Sequence, residues 1–238
     1  MLHIEAIMFD VFGTLVDWRT GVADASGPTL AAKGIDMDPL AFADAWRAEY
    51  QPSMERIRAG SREYVPLDKL HLENLDTILK KFGLENFFDQ DEKMELNRGW
   101  EKLPPWPDTV QCLQRLKQRY IIAPCSNGSI ALMTRLARHG GSQWDAIVGA
   151  DIAQDYKPAH QAYLKSAAAL GCKPETTLMV AAHNSDLEAA AGCGLMTAFF
   201  PRPTEHGANQ TIDLQASGIW DFNEESLTKL TDRILASG

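Results

Sequence analysis

The sequence predicts an α/β protein, a doubly wound parallel sheet with a block of helices inserted after the first strand. Three observations carry this. The run at residues 4–9 is continuously apolar, as a strand buried on both faces requires. Beyond about residue 120, strand-like runs alternate with helix-like stretches, the pattern of parallel strands joined by crossover helices. From about Thr20 to Trp100 no strand-like run occurs, and apolar residues recur at helical spacing.

The first strand ends at Asp10, where an open α/β sheet presents its functional groups. Gly13 permits a tight or left-handed turn there, so that backbone N–H groups can face whatever Asp10 attacks. Asp10 also suits the cap of a following helix, and the local pattern leaves both readings open. In the inserted block, Leu40, Ala43, Trp46 and Arg47 open one amphipathic helix, and Tyr50, Met54 and Ile57 continue its period past Pro52. Leu67, Leu70, Leu75, Ile78 and Leu79 mark a second helix, and residues 94–96 a third. Pro104, Pro105 and Pro107 then form a return linker, with Pro107 placed to open a helix through Leu116. Strands are expected at 120–125, 145–150, 177–182 and 196–200, and helices at 128–139, 158–170, 186–193 and 224–235. The predicted organisation is a core of residues 1–17 and 103–238 and a helical cap of residues 18–102, with the site between them.

The 238 residues are 45% hydrophobic with mean hydropathy -0.24, enough apolar material for a real core. A net charge of -9 and a pI near 5.1 argue against nucleic acid or an anionic membrane as partner. An anionic substrate would need cations gathered locally. Cys112, Cys125, Cys172 and Cys193 are widely spaced, as expected of free thiols in a reducing cytoplasm. The chain enters a strand almost at once, with no signal-like segment, and the apolar run 189–200 is too short to cross a bilayer.

Four stretches hold the candidate chemistry: residues 7–15 around Asp10, Ser126-Asn127-Gly128, Asp155-Tyr156-Lys157-Pro158, and Ala181 to Asp186. Each has a plain structural reading. Ser126 suits a helix cap, Lys157 a solvated surface, Tyr163 the core, and His183 a buried hydrogen-bonded position. Arg47 could be solvated like Arg56 and Arg58. Taken together and in order, the four stretches resemble the motifs of the haloacid dehalogenase superfamily, and Trp46-Arg47 resembles its L-2-haloacid dehalogenase (type II) branch. The resemblance spans nearly the whole chain.

It implies a Rossmann-like core with an inserted cap, and Asp10 as a covalent nucleophile. It assigns the substrate carboxylate to Ser126 and to the turn of Val11, Phe12 and Thr14, and the departing halide to Arg47 and Asn127. Lys157 would steady Asp10, and Tyr163 would line the pocket. A homodimer is expected on the same ground. Two departures favour carbon–halogen chemistry over phosphate chemistry. Superfamily phosphatases place a second Asp two residues after the nucleophile to protonate the leaving alcohol; here that residue is Phe12. They also pair acidic residues to hold Mg²⁺, whereas His183 and Asn184 stand here and leave Asp186 as the nearby carboxylate. A halide leaves without a proton, and a haloacid carries one charge.

His183, where the commonest dehalogenases have Asn, is expected to activate the hydrolytic water, with Asp186 orienting it or sharing the task. Asp17 is a candidate partner for His183. Trp18, Trp46, Tyr50 and Phe12 are candidate pocket walls, although aromatic residues at helical spacing are more often packing. The expected activity is hydrolysis of short (S)-2-haloacids to (R)-2-hydroxy acids through an aspartyl ester, with no metal or organic cofactor. The alternatives are a superfamily phosphatase with an altered Mg²⁺ site, or a non-catalytic binder of small acids. Nothing in the sequence decides whether fluoride can leave.

Overall fold

The computed structural model describes residues 3–237; the outermost residues of the predicted core, 1, 2 and 238, lie outside them. Its strands are β1 (Ala6–Phe9), β2 (Ile121–Ser126), β3 (Val148–Gly149), β4 (Thr177–Ala181), β5 (Met196–Phe199) and β6 (Phe222–Asn223). All pair in parallel, in the order β3-β2-β1-β4-β5-β6. β1 is central and completely buried, with Phe9 opposite Pro124 on one side and Val180 on the other. Its alternation divides the core. Ile7 and Phe9 join Leu113 and Leu116 of α6 (Thr109–Lys117) and Leu230 and Ile234 of α11 (Leu227–Ser237). Met8 faces Tyr163 of α9 (His160–Ala169) and Leu187 of α10 (Asn184–Gly192). Helices on both faces are why these strands are uniformly apolar rather than alternating with polar residues.

The chain leaves β1 toward β2 on one side and reaches β4 on the other. The carboxyl ends of β1, β2 and β4 therefore diverge around one crevice, where such sheets bind ligands.

Between β1 and α6 lie α1 (Trp18–Ala32), α2 (Pro39–Ala48), α3 (Tyr50–Arg58), α4 (Leu67–Lys81), α5 (Gln90–Asn97) and a 3-10 turn at Arg98–Glu101. Short acidic side chains start several of them. Asp17 accepts from the Thr20 N–H, Asp38 from the Leu40 N–H ahead of Pro39, and Asp89 forms a capping box with Glu92. The apolar faces of these helices share one cluster with Val11, Phe12 and Val16 of the loop after β1, and with Leu132, Met133 and Tyr156. The helical block is thus packed directly over the crevice.

Several boundaries differ from expectation. The single helical period read from Leu40 to Ile57 is two helices, and the break falls at Glu49 rather than at Pro52, which sits harmlessly in the first turn of α3. The helix expected from residue 128 is α7 (Ile130–Gly140), capped by Ser129 and ended by Gly141 in the left-handed region. The strand expected at 145–150 shrinks to β3, because α8 (Ala150–Ala153) begins at once. β6, two residues long, carries no periodic signal in the sequence.

Gly149 has φ +117°, and a Cβ there would stand 2.2 Å from the Ser126 carbonyl oxygen and 2.6 Å from its nitrogen. Both are rigid backbone of β2, so Gly149→Ala is expected to lower the unfolding free energy by about 2–4 kcal/mol. A urea titration reads this as an earlier midpoint; an unchanged midpoint would contradict the packing described.

Candidate active site

Asp10 is the first residue past β1, and its N–H donates to the Val180 carbonyl at 3.0 Å, which anchors it to β4. The carboxylate is almost completely buried. Its Oδ1 accepts from Lys157 Nζ at 2.8 Å, and its Oδ2 accepts from Thr14 Oγ1 at 2.7 Å. The same ammonium donates to Asp186 Oδ2 at 2.5 Å, and Asp186 Oδ1 accepts from the Tyr163 hydroxyl at 2.5 Å. Lys157 is delivered by the loop before α9 and Asp186 by the first turn of α10. Burial alone would push the Asp10 carboxyl up, but Lys157 and His183 overcome it and hold it well below the ordinary carboxylate range. Burial would likewise lower Lys157, and the two carboxylates raise it instead. Asp186 moves the other way. Burial raises it against the pull of Lys157, so Asp10 is the carboxylate that keeps its charge more firmly.

His183 follows β4. Its Nδ1 lies 3.1 Å from Asp10 Oδ2 and its Nε2 2.8 Å from Glu205 Oε2. Burial would lower its affinity for a proton, but Glu205 and Asp10 outweigh burial and raise it well above the ordinary value, so both nitrogens are donors. Glu205 is itself pushed up by burial and pulled lower overall by His183. Its other oxygen, Oε1, accepts from Trp18 Nε1 at 3.0 Å. Room for this carboxylate exists because residue 13 is glycine. At Gly13, with φ +87°, a Cβ would lie 2.0 Å from Glu205 Oε1. Glu205 belongs to the irregular segment 200–221, which Asn184 ties to the start of α10. The Asn184 N–H donates to Asp213 Oδ1 at 2.9 Å, and Asn184 Oδ1 accepts from the Ser217 N–H at 2.8 Å and Trp220 Nε1 at 3.1 Å.

These groups open onto a cavity of about 410 Å³ lined by Asp10, Phe12, Asn127, Lys157, Tyr163, His183, Asp186 and Glu205, with Arg47 and Tyr50 on the side of the helical block. The Arg47 guanidinium carbon lies 3.8 Å from the Tyr50 ring centre, 5.2 Å from that of Trp18 and 5.9 Å from that of Phe12. Its buried Nη1 has no hydrogen-bond partner among the described residues. An uncommitted cation in an aromatic cage is an anion receptor. Asn127 Oδ1 accepts from the Lys157 N–H at 2.8 Å, which leaves its amide N–H₂ as the free end.

Of the residues expected from sequence, Asp10, Phe12, Arg47, Asn127, Lys157, Tyr163, His183 and Asp186 all meet at the cavity. Val11, Thr14 and Ser126 do not wall it. Val11 packs in the apolar cluster of the helical block. The Thr14 hydroxyl is fully committed, donating to Asp10 and accepting from the Ala182 N–H at 3.0 Å. It therefore positions Asp10 rather than meeting a ligand. Ser126 Oγ accepts from the Gly128 N–H at 3.0 Å and keeps its own proton free. Asp17 is not the partner of His183, because its side chain caps α1; Glu205 takes that place. Asp186 does not reach His183 either, being engaged by Lys157 and Tyr163. Glu205 carried no sequence signal, since a lone Glu in a polar loop reads as solvated. The site does not fit the Mg²⁺ of phosphatase-type relatives. The Lys157 ammonium already bridges the two carboxylates a cation would use, and no three ligating side chains cluster among the described residues.

Residues 4–194 match the family model of the haloacid dehalogenase-like hydrolases. The fold superposes on the crystal structure of a defluorinating L-2-haloacid dehalogenase with a TM-score of 0.96 and 48% identity, covering 98% of this chain and 95% of that one. It superposes on a second L-2-haloacid dehalogenase with a TM-score of 0.93 and 39% identity, covering 98% of this chain and 99% of that one. Haloacetate dehalogenase H-2 of Moraxella sp. (strain B) is 28% identical over 205 residues, 85% of this chain and 88% of that protein. The matched region runs from the strand that presents Asp10 past the helix that presents Asp186, and on that extent the chain belongs to the haloacid dehalogenase-like hydrolase family.

Proposed function

We propose that this chain is a hydrolytic (S)-2-haloacid dehalogenase acting through a covalent ester of Asp10. One observation carries the reading: a buried carboxylate kept ionised by Lys157 shares a cavity with an unpaired guanidinium caged by Tyr50, Trp18 and Phe12. The first group is a nucleophile and the second receives an anion. The similarity to L-2-haloacid dehalogenases supports the same chemistry. Residues 18–102 act as the cap that closes the cavity over a core of residues 1–17 and 103–238.

The substrate carboxylate is held by the Phe12 N–H, which has no backbone acceptor among the described residues. The resemblance adds the Val11 N–H and the free proton of Ser126, although neither of those residues lines the cavity. An oxygen of Asp10 attacks C2 from behind. The C2–halogen pair leaves as halide toward Arg47 and the Asn127 amide, and no proton is needed. Lys157 and Thr14 keep Asp10 in line, and Tyr163 and Asp186 keep Lys157 in place.

The second step follows from the surroundings of His183. Esterification removes the charge of Asp10, one of the two carboxylates that hold the imidazole protonated. His183 then releases its Nδ1 proton to solvent and turns that nitrogen toward the ester as a base, while Glu205 fixes the Nε2–H tautomer. Water adds to the ester carbonyl and gives a proton to Nδ1. The tetrahedral adduct collapses by breaking the bond to the alkoxide oxygen, which takes the remaining proton of the added water, leaving the free Asp10 carboxylate and the (R)-2-hydroxy acid. One halide and one proton leave per turnover.

A metal-dependent phosphatase would need an acid at the position of Phe12 and a carboxylate pair free of Lys157, and this site has neither. The proposal places the enzyme in the cytoplasm, supported by four cysteines that form no disulfide. No described helix is long and apolar enough to cross a membrane. A homodimer is carried by the resemblance alone.

A single turnover in H₂¹⁸O with enzyme in excess should give unlabelled hydroxy acid, the heavy oxygen entering Asp10 instead; labelled product would sink the ester mechanism. Asp10→Asn should lower halide release from (S)-2-chloropropionate by about 10⁴-fold. His183→Ala should release one halide per site and then stall, with turnover about 10²–10⁴-fold slower and an ester adduct visible by mass spectrometry. Glu205→Gln removes a negative charge that raises His183. The neutral base should then be present at lower pH, and the acid limb of kcat should move down by about one unit. An upward shift would contradict the role given to Glu205.

A further inference from the structure

One layer behind the cavity wall lie polar groups that the mechanism above leaves unused. His71 and Trp100 are each 1% exposed. Neither ring nitrogen of His71 has a hydrogen-bond partner among the described residues, and neither does Trp100 Nε1. The buried Nη1 of Arg47 shares that condition. Buried N–H groups without acceptors are costly, and proteins seldom keep several together without a use for them.

The three side chains are neighbours. The His71 ring stacks on that of Trp100 with centres 4.1 Å apart. The Phe12 ring is their common wall, 6.3 Å from His71, 5.9 Å from Trp100 and 5.9 Å from the Arg47 guanidinium carbon. Tyr50 joins them from the other direction, 3.8 Å from that carbon and 5.9 Å from the His71 ring. Trp46 fixes the arrangement, donating from Nε1 to the His71 carbonyl at 2.8 Å and packing on Trp100 at 5.7 Å. Burial and the nearby charge of Arg47 hold His71 well below its ordinary value, so it is neutral and offers one N–H. The indole and guanidinium are donors only.

We propose that Arg47, His71 and Trp100 form an inner halide site that receives the leaving group behind Phe12, and that the two neutral donors make small, hard halides able to leave. This rests on the dehalogenase reading. The C2–halogen bond breaks with its electron pair on the halogen as the Asp10 oxygen bonds to C2; His71 and Trp100 donate hydrogen bonds and keep their protons. Fluoride concentrates its charge in the smallest volume. It therefore gains most from N–H contacts and least from polarisable ring faces, whereas bromide relies more on the guanidinium and the aromatic cage.

The test compares fluoride and bromide release from (S)-2-fluoropropionate and (S)-2-bromopropionate by wild type, His71→Phe and Trp100→Phe. Phe keeps an aromatic ring in each place and removes the N–H, with a change of ring size that acts alike on both halides. Both variants should lose about 10-fold or more in fluoride release while bromide release stays within about 3-fold, and His71→Asn, which restores an N–H, should recover fluoride release. Equal loss for both halides, no loss for either, or a wild type that releases bromide but never fluoride would overturn the proposal. A wild type that releases no halide at all would instead refute the dehalogenase reading. Should the Phe variants fail to melt cooperatively, wild-type crystals grown in bromide decide the matter. An anomalous peak behind Phe12, within the enclosure of Arg47, His71 and Trp100, supports the inner site, and bromide found solely at the cavity mouth overturns it.

Discussion

The structure depends on one buried ammonium held between two buried carboxylates. Lys157 reaches Asp10 at 2.8 Å and Asp186 at 2.5 Å, and all three are removed from water. Such a group is tolerated only when geometry repays the loss of hydration, because a buried charge left alone costs several kcal/mol. The sheet supplies that geometry. β1 sets Asp10 at the centre, α10 brings Asp186 from one neighbour, and the loop before α9 brings Lys157 across from the other side. Each remaining bond can then be read as support for this triad: Thr14 on Asp10, Tyr163 on Asp186, and Asn127 on the backbone of Lys157.

The same balance explains how an acidic protein takes an anion. The formal net charge is -9, and at the cavity Asp10, Asp186, Glu205 and Asp213 stand against Lys157, His183 and Arg47. Lys157 and His183 are already committed to the acids. Arg47 is not, and it alone carries surplus positive charge into the apolar enclosure of Phe12, Trp18 and Tyr50. Aromatic faces cannot hydrate the guanidinium, so an arriving or departing anion is its natural complement.

What the sequence revealed followed from how local each signal was. β1 was legible because every residue in it is apolar, and Asp10 because it interrupts that run. The stretches carrying Ser126, Lys157 and His183 each follow a strand or open a helix, so the βα alternation located them. The split at Glu49 was hidden because α2 and α3 present their apolar residues in nearly continuous period, and only backbone direction separates them. β6 is two residues long, too short for any periodicity, whereas the strand expected at 145–150 is present as β3 but cut to two residues by the start of α8. Glu205 was hidden for a different reason. It acquires meaning only when segment 200–221 folds back over Gly13, a contact between residues 13 and 205 that no spacing encodes. The visible trace of it was Gly13 itself, which was read for its backbone freedom and not for the space it leaves to another side chain.

In the mechanism proposed above, Glu205 also orders the two halves of the reaction. In the resting site, His183 is squeezed between Asp10 and Glu205, and a protonated imidazole there cannot generate hydroxide prematurely. In the proposed mechanism, alkylation of Asp10 would erase one of the two charges beside His183, and would do so only when an ester exists to be hydrolysed. Asparagine in the place of His183 could orient water but could not change its protonation in response to Asp10. Under that proposal, the pairing of His183 with Glu205 makes the charge of Asp10 the timer of its own release. Gly13, by admitting the Glu205 carboxylate beside the turn that carries Asp10, is what allows timer and nucleophile to share one wall.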